Sequence, residues 1–118
     1  MNEVQFIFNE INEQRFDGQL PKVECDWMSP KEHKKIAKRI GLPEERVLFG
    51  FCYRFKRRIV VNKIIEKEPE LVRLVMEHEI SHLVGILLGI PQNRIDYMSG
   101  ELGSKFWRYK LEFLRKYG

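Results

Sequence analysis

With 118 residues, 43% of them hydrophobic and 32% charged, the chain has the length and balance of one folded domain spanning residues 1–118. A core of that size needs no disulfide staples, and a disordered or collagen-like chain is excluded. The formal charge of +4 is mild, and its excess is spread over residues 31–39, residues 54–58 and a stretch around Lys105, Arg108, Lys110, Arg115 and Lys116. Clusters so dispersed read as solvated faces, so nucleic acid is not the expected partner.

In chain order, residues 1–13 mix Phe6, Ile7 and Phe8 with Glu3, Glu10 and Glu13, which is not the pattern of a signal peptide. Val4, Ile7, Phe8, Ile11 and Arg15 recur at helical spacing and predict an amphipathic helix over residues 2–16. Asp17-Gly18 stops it and Pro21 follows. Residues 22–28 form a short predicted strand, after which Ser29-Pro30 opens a charged helix that runs to Ile40 and ends at Gly41. Cys25 and Cys52, the only two cysteines, point to a reduced, cytoplasmic setting.

Residues 47–55 and 58–62 are rich in Val, Ile, Phe and Tyr, and the charged pair Lys56-Arg57 joins them into a predicted hairpin. Glu68-Pro69 opens the longest helix, residues 69–88, which Gly89, Ile90 and Pro91 end. A polar loop, 92–99, leads to a last helix over 100–117, with Ser99 as its N-cap. No apolar stretch reaches the roughly 20 residues a bilayer requires, so no membrane span is expected. The order predicts an α+β domain whose mostly antiparallel sheet is covered by helices, the long one and the C-terminal one among them.

The long helix carries His78-Glu79-Ile80-Ser81-His82. Residues four apart share a helical face, so the two imidazoles can converge on one ion, and a catalytic zinc keeps a position for water. Glu79 is placed to serve that water as general base. Glu77, His78, Glu79 and His82 interrupt an otherwise apolar helix, where buried imidazoles and carboxylates are costly unless something coordinates them. Gly85, one turn beyond His82, clears space for a further ligand. Glu101, near the start of the last helix, is the preferred third ligand, with loop Asp96 as the alternative; His33 lies remote in a basic helix. Arg94 and Tyr97 are candidates to stabilise an oxyanion, although either suits a plain surface loop.

The motif His78-Glu-x-x-His82 resembles that of the zincin metallopeptidases, and with Glu101 it is similar to the gluzincin arrangement. At this length the chain looks like a minigluzincin. A second resemblance is to SprT-like domains, through Phe8-x-x-Ile11-Asn12, Phe16-x-Gly18-x-Leu20-Pro21, Trp27 and the hairpin at 50–62. There the chain departs from the pattern, because Leu102 of Leu102-Gly103-Ser104-Lys105-Phe106 stands where SprT-like proteins carry a histidine. Metzincins fit less well, since Leu88 occupies the place of their third histidine. Zincin resemblance implies a small zincin-like fold and zinc-dependent hydrolysis of peptide bonds by metal-activated water. It also implies a peptide or protein substrate laid along the edge strand that opens on Leu48 and closes on Phe55, with Phe51 and Tyr53 nearby. Larger relatives have a lower lobe that this chain lacks, which makes a latent enzyme a further expectation. The alternatives are a non-catalytic zinc-binding interaction module and an SprT-like nucleic-acid-associated protease.

Overall fold

Local chemistry sets the element boundaries in the computed structural model, which describes residues 1–89. Helix α1 spans Glu3–Phe16, and Asn2 caps it by accepting the Gln5 N–H at 2.8 Å. It ends at Asp17, whose φ of 54° is a left-handed conformation that aspartate tolerates. Strand β1 (Glu24–Met28) begins at Glu24 rather than at Lys22. Helix α2 (Pro30–Ile40) starts at once, with Ser29 accepting the Glu32 N–H at 3.1 Å and Pro30 in its first turn.

Strands β2 (Gly50–Cys52) and β3 (Arg58–Asn62) form the predicted hairpin, with Phe51 opposite Val60. The Tyr53 N–H donates to the Arg58 carbonyl at 2.9 Å, so the loop covers 54–57 and is wider than the Lys56-Arg57 pair read from sequence. A 3₁₀ turn (Lys63–Ile65), which no periodicity announces, leads to helix α3 (Pro69–Leu88). The polar loop and the helix expected over 100–117 lie outside the described residues.

The strand order is β1-β3-β2, with β3 parallel to β1 and antiparallel to β2. The class is α+β as expected, but the sheet is mixed rather than mostly antiparallel. The chain leaves β1 through α2, runs antiparallel to β1 in β2 and reverses again at the hairpin, so β3 runs in the direction of β1 and inserts between it and β2.

Ile59, Val60 and Val61 are all fully buried, because helices cover both faces of β3. On one face Ile59 and Val61 meet Val4, Phe8 and Ile11 of α1 and Val72, Met76 and Ile80 of α3. On the other, Val60 joins Met28 and Ile36, with Leu48, Phe51 and Tyr53 packed around them. The Tyr53 hydroxyl donates to Glu32 at 2.8 Å, and Arg58 bonds both Glu32 and Glu24, tying the hairpin to α2 and β1.

The two sheet edges are treated differently. Beside β1, the Cys25 N–H donates to Gln5 Oε1 at 2.9 Å and the Asn2 amide donates to the Cys25 carbonyl at 3.0 Å, so α1 side chains close that edge. On β2, the ladder bonds from Tyr53 N–H to Arg58 and from Asn62 N–H to Phe49 place alternate residues toward β3. The backbone groups of Gly50 and Cys52 therefore point to the outer edge.

Both thiols are free, and the register explains why. Cys25 and Cys52 each stand opposite Ile59, one on either side. Two strand spacings of about 4.8 Å separate them, beyond the roughly 4.4–6.8 Å between Cα atoms that a disulfide spans. Reduced cysteines would follow from this geometry in any compartment, so they carry no information on location. Among the described residues no helix is long and apolar enough to cross a membrane.

Candidate metal centre

Helix α3 packs against both the sheet and α1, and its faces divide the polar residues that its sequence places side by side. Glu77 points toward α1. Its carboxylate takes Arg15 Nη2 at 3.0 Å and lies 3.8 Å from Arg73 Nε, while Arg73 also bonds Glu10 and, at 3.1 Å, Gln14. Glu77 thus belongs to an ion-pair network and not with the histidines, a correction to its grouping by sequence. The same contact explains Arg15, an arginine recurring on the apolar face of α1. Among the described residues, Arg15→Ala should leave this buried carboxylate with the more distant Arg73. A loss of about 1–3 kcal/mol is expected, read as a lowered urea midpoint with unchanged slope.

His78 and His82 project from the neighbouring face, and the structure brings them together. Their Nε2 atoms lie 3.2 Å apart, with ring centroids at 4.8 Å and planes inclined by 70°. Two nitrogens each about 2.0–2.1 Å from a tetrahedral ion stand about 3.3–3.4 Å apart, so the pair has the spacing of two ligands of one zinc. One Glu79 carboxylate oxygen completes a group of three ligand atoms, all within 4.8 Å of one another. The histidines are half-buried, whereas Glu79 is only 5% exposed. Two imidazole nitrogens at this spacing fit zinc as two of its ligands, with the Glu79 carboxylate beside them.

The group opens into a cleft of roughly 350 Å³ between α3 and the outer edge of β2, where Ile40, Leu48, Gly50, Phe51, Cys52 and Arg54 line the facing wall. Sequence reasoning missed Ile40 as a cleft residue, and although Gly50 and Cys52 fall within the edge strand it laid along the substrate, it gave neither a role of its own. The available signal was a lone glycine in a strand, which marks close backbone approach. Burial pushes the Cys52 thiol up to about 12, with the Glu79 carboxylate adding to the rise. At neutral pH it is therefore no thiolate nucleophile. A larger hollow of about 800 Å³ between α1 and residues 20–24 gathers neither histidine nor cysteine among the described residues.

His33 takes no part in the group. Its Nε2 accepts the Leu48 N–H at 3.0 Å, pinning the segment that enters β2. Gly85 is buried in α3. Of the expected basic cluster at 54–58, Arg58 is taken up by Glu24 and Glu32, leaving Arg54, Lys56 and Arg57 around the exposed Phe55 at the hairpin tip. The remaining candidates, Glu101, Asp96, Arg94 and Tyr97, lie outside the described residues, as does Leu102. Comparison with protein-family models, with curated proteins and with solved structures finds no match.

Proposed function

We propose that the chain is a zinc-dependent metallopeptidase of minimal gluzincin type, hydrolysing peptide or protein substrates. The observation that carries this reading is the approach of two Nε2 atoms to 3.2 Å beside a buried carboxylate, in a cleft beside the outer edge of β2. His78 and His82 would hold the zinc, with Glu101 as third ligand and Asp96 as the alternative. A bound zinc lowers the pKa of water and polarises a carbonyl oxygen.

The other steps fall to the chain itself. Glu79, on the helix but turned toward β2, takes a proton from the attacking water and holds it at its carboxylate for the leaving amine. The outward backbone groups of Gly50 and Cys52 would pair with an extended peptide, which lays the scissile bond across the histidines. Among the described residues α1 side chains close the β1 edge, and no strand pairs with the outer edge of β2.

The test is hydrolysis of an unstructured protein by the zinc-loaded chain, with and without a chelator. Chelator-sensitive cleavage supports the proposal. Stoichiometric zinc with no cleavage would replace it with the non-catalytic zinc-binding module. For the third ligand, Glu101→Ala should weaken zinc affinity by orders of magnitude while Asp96→Ala hardly changes it, measured by competition with a chromophoric chelator. The opposite pattern would transfer the role to Asp96.

A further inference from the structure

Gly50 is buried on β2 directly opposite α3, and its φ lies outside the left-handed range, so its backbone would accept an alanine. What an alanine lacks there is room. A Cβ at position 50 would stand 2.5 Å from Val75 Cγ1, 3.0 Å from Glu79 Oε2 and 3.1 Å from Glu79 Cγ. Val75 and Glu79 are four residues apart and therefore stacked on one stripe of α3. Helix and strand meet at a place where only a hydrogen atom separates the strand backbone from the Glu79 side chain.

The geometry points to Gly50 as a positioning residue for the proposed metallopeptidase, its missing side chain setting where the Glu79 carboxylate rests. This inference rests on the function proposed above for Glu79, but the contact itself exists whether or not the chain is an enzyme. Two features make position 50 suited to the role. Gly50 lies on the wall of the cleft that faces His78 and His82, so a carboxylate lodged against it is held beside the imidazoles. The residue also belongs to a strand whose ladder with β3 pins its backbone opposite Val61. The neighbouring bonds of Phe49 and Tyr53 to β3 resist a shift of the strand, so an added methyl presses on the side chains of α3.

The two α3 contacts separate by mutation. Gly50→Ala alone strains both, and part of its effect would be plain overpacking against Val75. Adding Val75→Ala removes Cγ1, the closest atom, and keeps the contacts to Glu79. Three proteins are compared with wild type: Gly50→Ala, Val75→Ala and the double variant. The first readout is the carboxyl ¹³C resonance of Glu79 in metal-free protein, assigned by its disappearance in Glu79→Gln. The second is the thermal midpoint, and the third is kcat against KM for the zinc-loaded forms.

The expected result is a displaced Glu79 resonance in both proteins carrying Gly50→Ala, and an unmoved one in Val75→Ala. The double variant should recover much of the midpoint lost by Gly50→Ala. Its kcat should nevertheless stay at least tenfold below that of Val75→Ala, with KM little changed. A Glu79 resonance unmoved in Gly50→Ala, or a double variant with the kcat of Val75→Ala, would overturn the inference and leave Gly50 a packing residue. Absence of hydrolysis in wild type would instead overturn the proposed function, and the carboxyl resonance would still decide the role of Gly50.

Discussion

Protein purified without chelator is expected to carry about one zinc per chain, and the His78→Ala, His82→Ala double variant to carry essentially none. The expectation follows from convergence, because both Nε2 atoms already stand at the separation that a shared tetrahedral ion imposes. A site that need not rearrange to bind loses little to reorganisation. Structural zinc in zinc-finger peptides is held by about 10–16 kcal/mol in apparent terms, which shows how much a full ligand set supplies, so removing two ligands should lower affinity by orders of magnitude. The variant should remain folded, since both rings are half-buried at the cleft and the core of α3 is made by Val72, Met76, Ile80, Leu83 and Val84. Metal analysis beside far-ultraviolet circular dichroism checks both statements. A folded double variant with stoichiometric zinc would remove the histidines from the site.

How much of this could be read beforehand depended on whether the governing interaction was local. Helix limits at Asn2, Ser29 and Gly41 were legible, because caps and left-handed stops are made by residues within one turn of the boundary. The motif was legible for the same reason, since spacing along one helix places His78 next to His82 without reference to any other element. The parallel pairing of β1 with β3 was not, because it is decided by a crossover and not by either strand's own residues. Nor was the assignment of Glu77. In sequence it is one more acid beside the histidines, and only the docking of α1 supplies Arg15 to it. Gly50 and Cys52 were legible only as members of the edge strand, because their closeness to Glu79 comes from the helix packed against them.

Glu79→Gln is expected to keep the zinc and the fold while lowering hydrolysis by about 10²–10⁴-fold, the usual contribution of a general base. Glutamine has nearly the shape of glutamate, so the close fit over Gly50 and beside Val75 should survive. Zinc should stay as well, because the two imidazoles that bring Nε2 atoms together are untouched. What disappears is the basic oxygen, since an amide of the same outline takes up no proton at neutral pH. The loss should therefore appear in kcat and leave KM nearly as it was, the mark of an interaction realised in the transition state. Alanine in place of glutamine would be a poorer probe. At 5% exposure the Glu79 side chain fills space between α3 and β2, and its removal would mix a packing defect with the chemical one. A zinc-loaded Gln variant that cleaves at the wild-type rate would show that the proton goes elsewhere, and a variant that loses zinc would make Glu79 a ligand instead of a base.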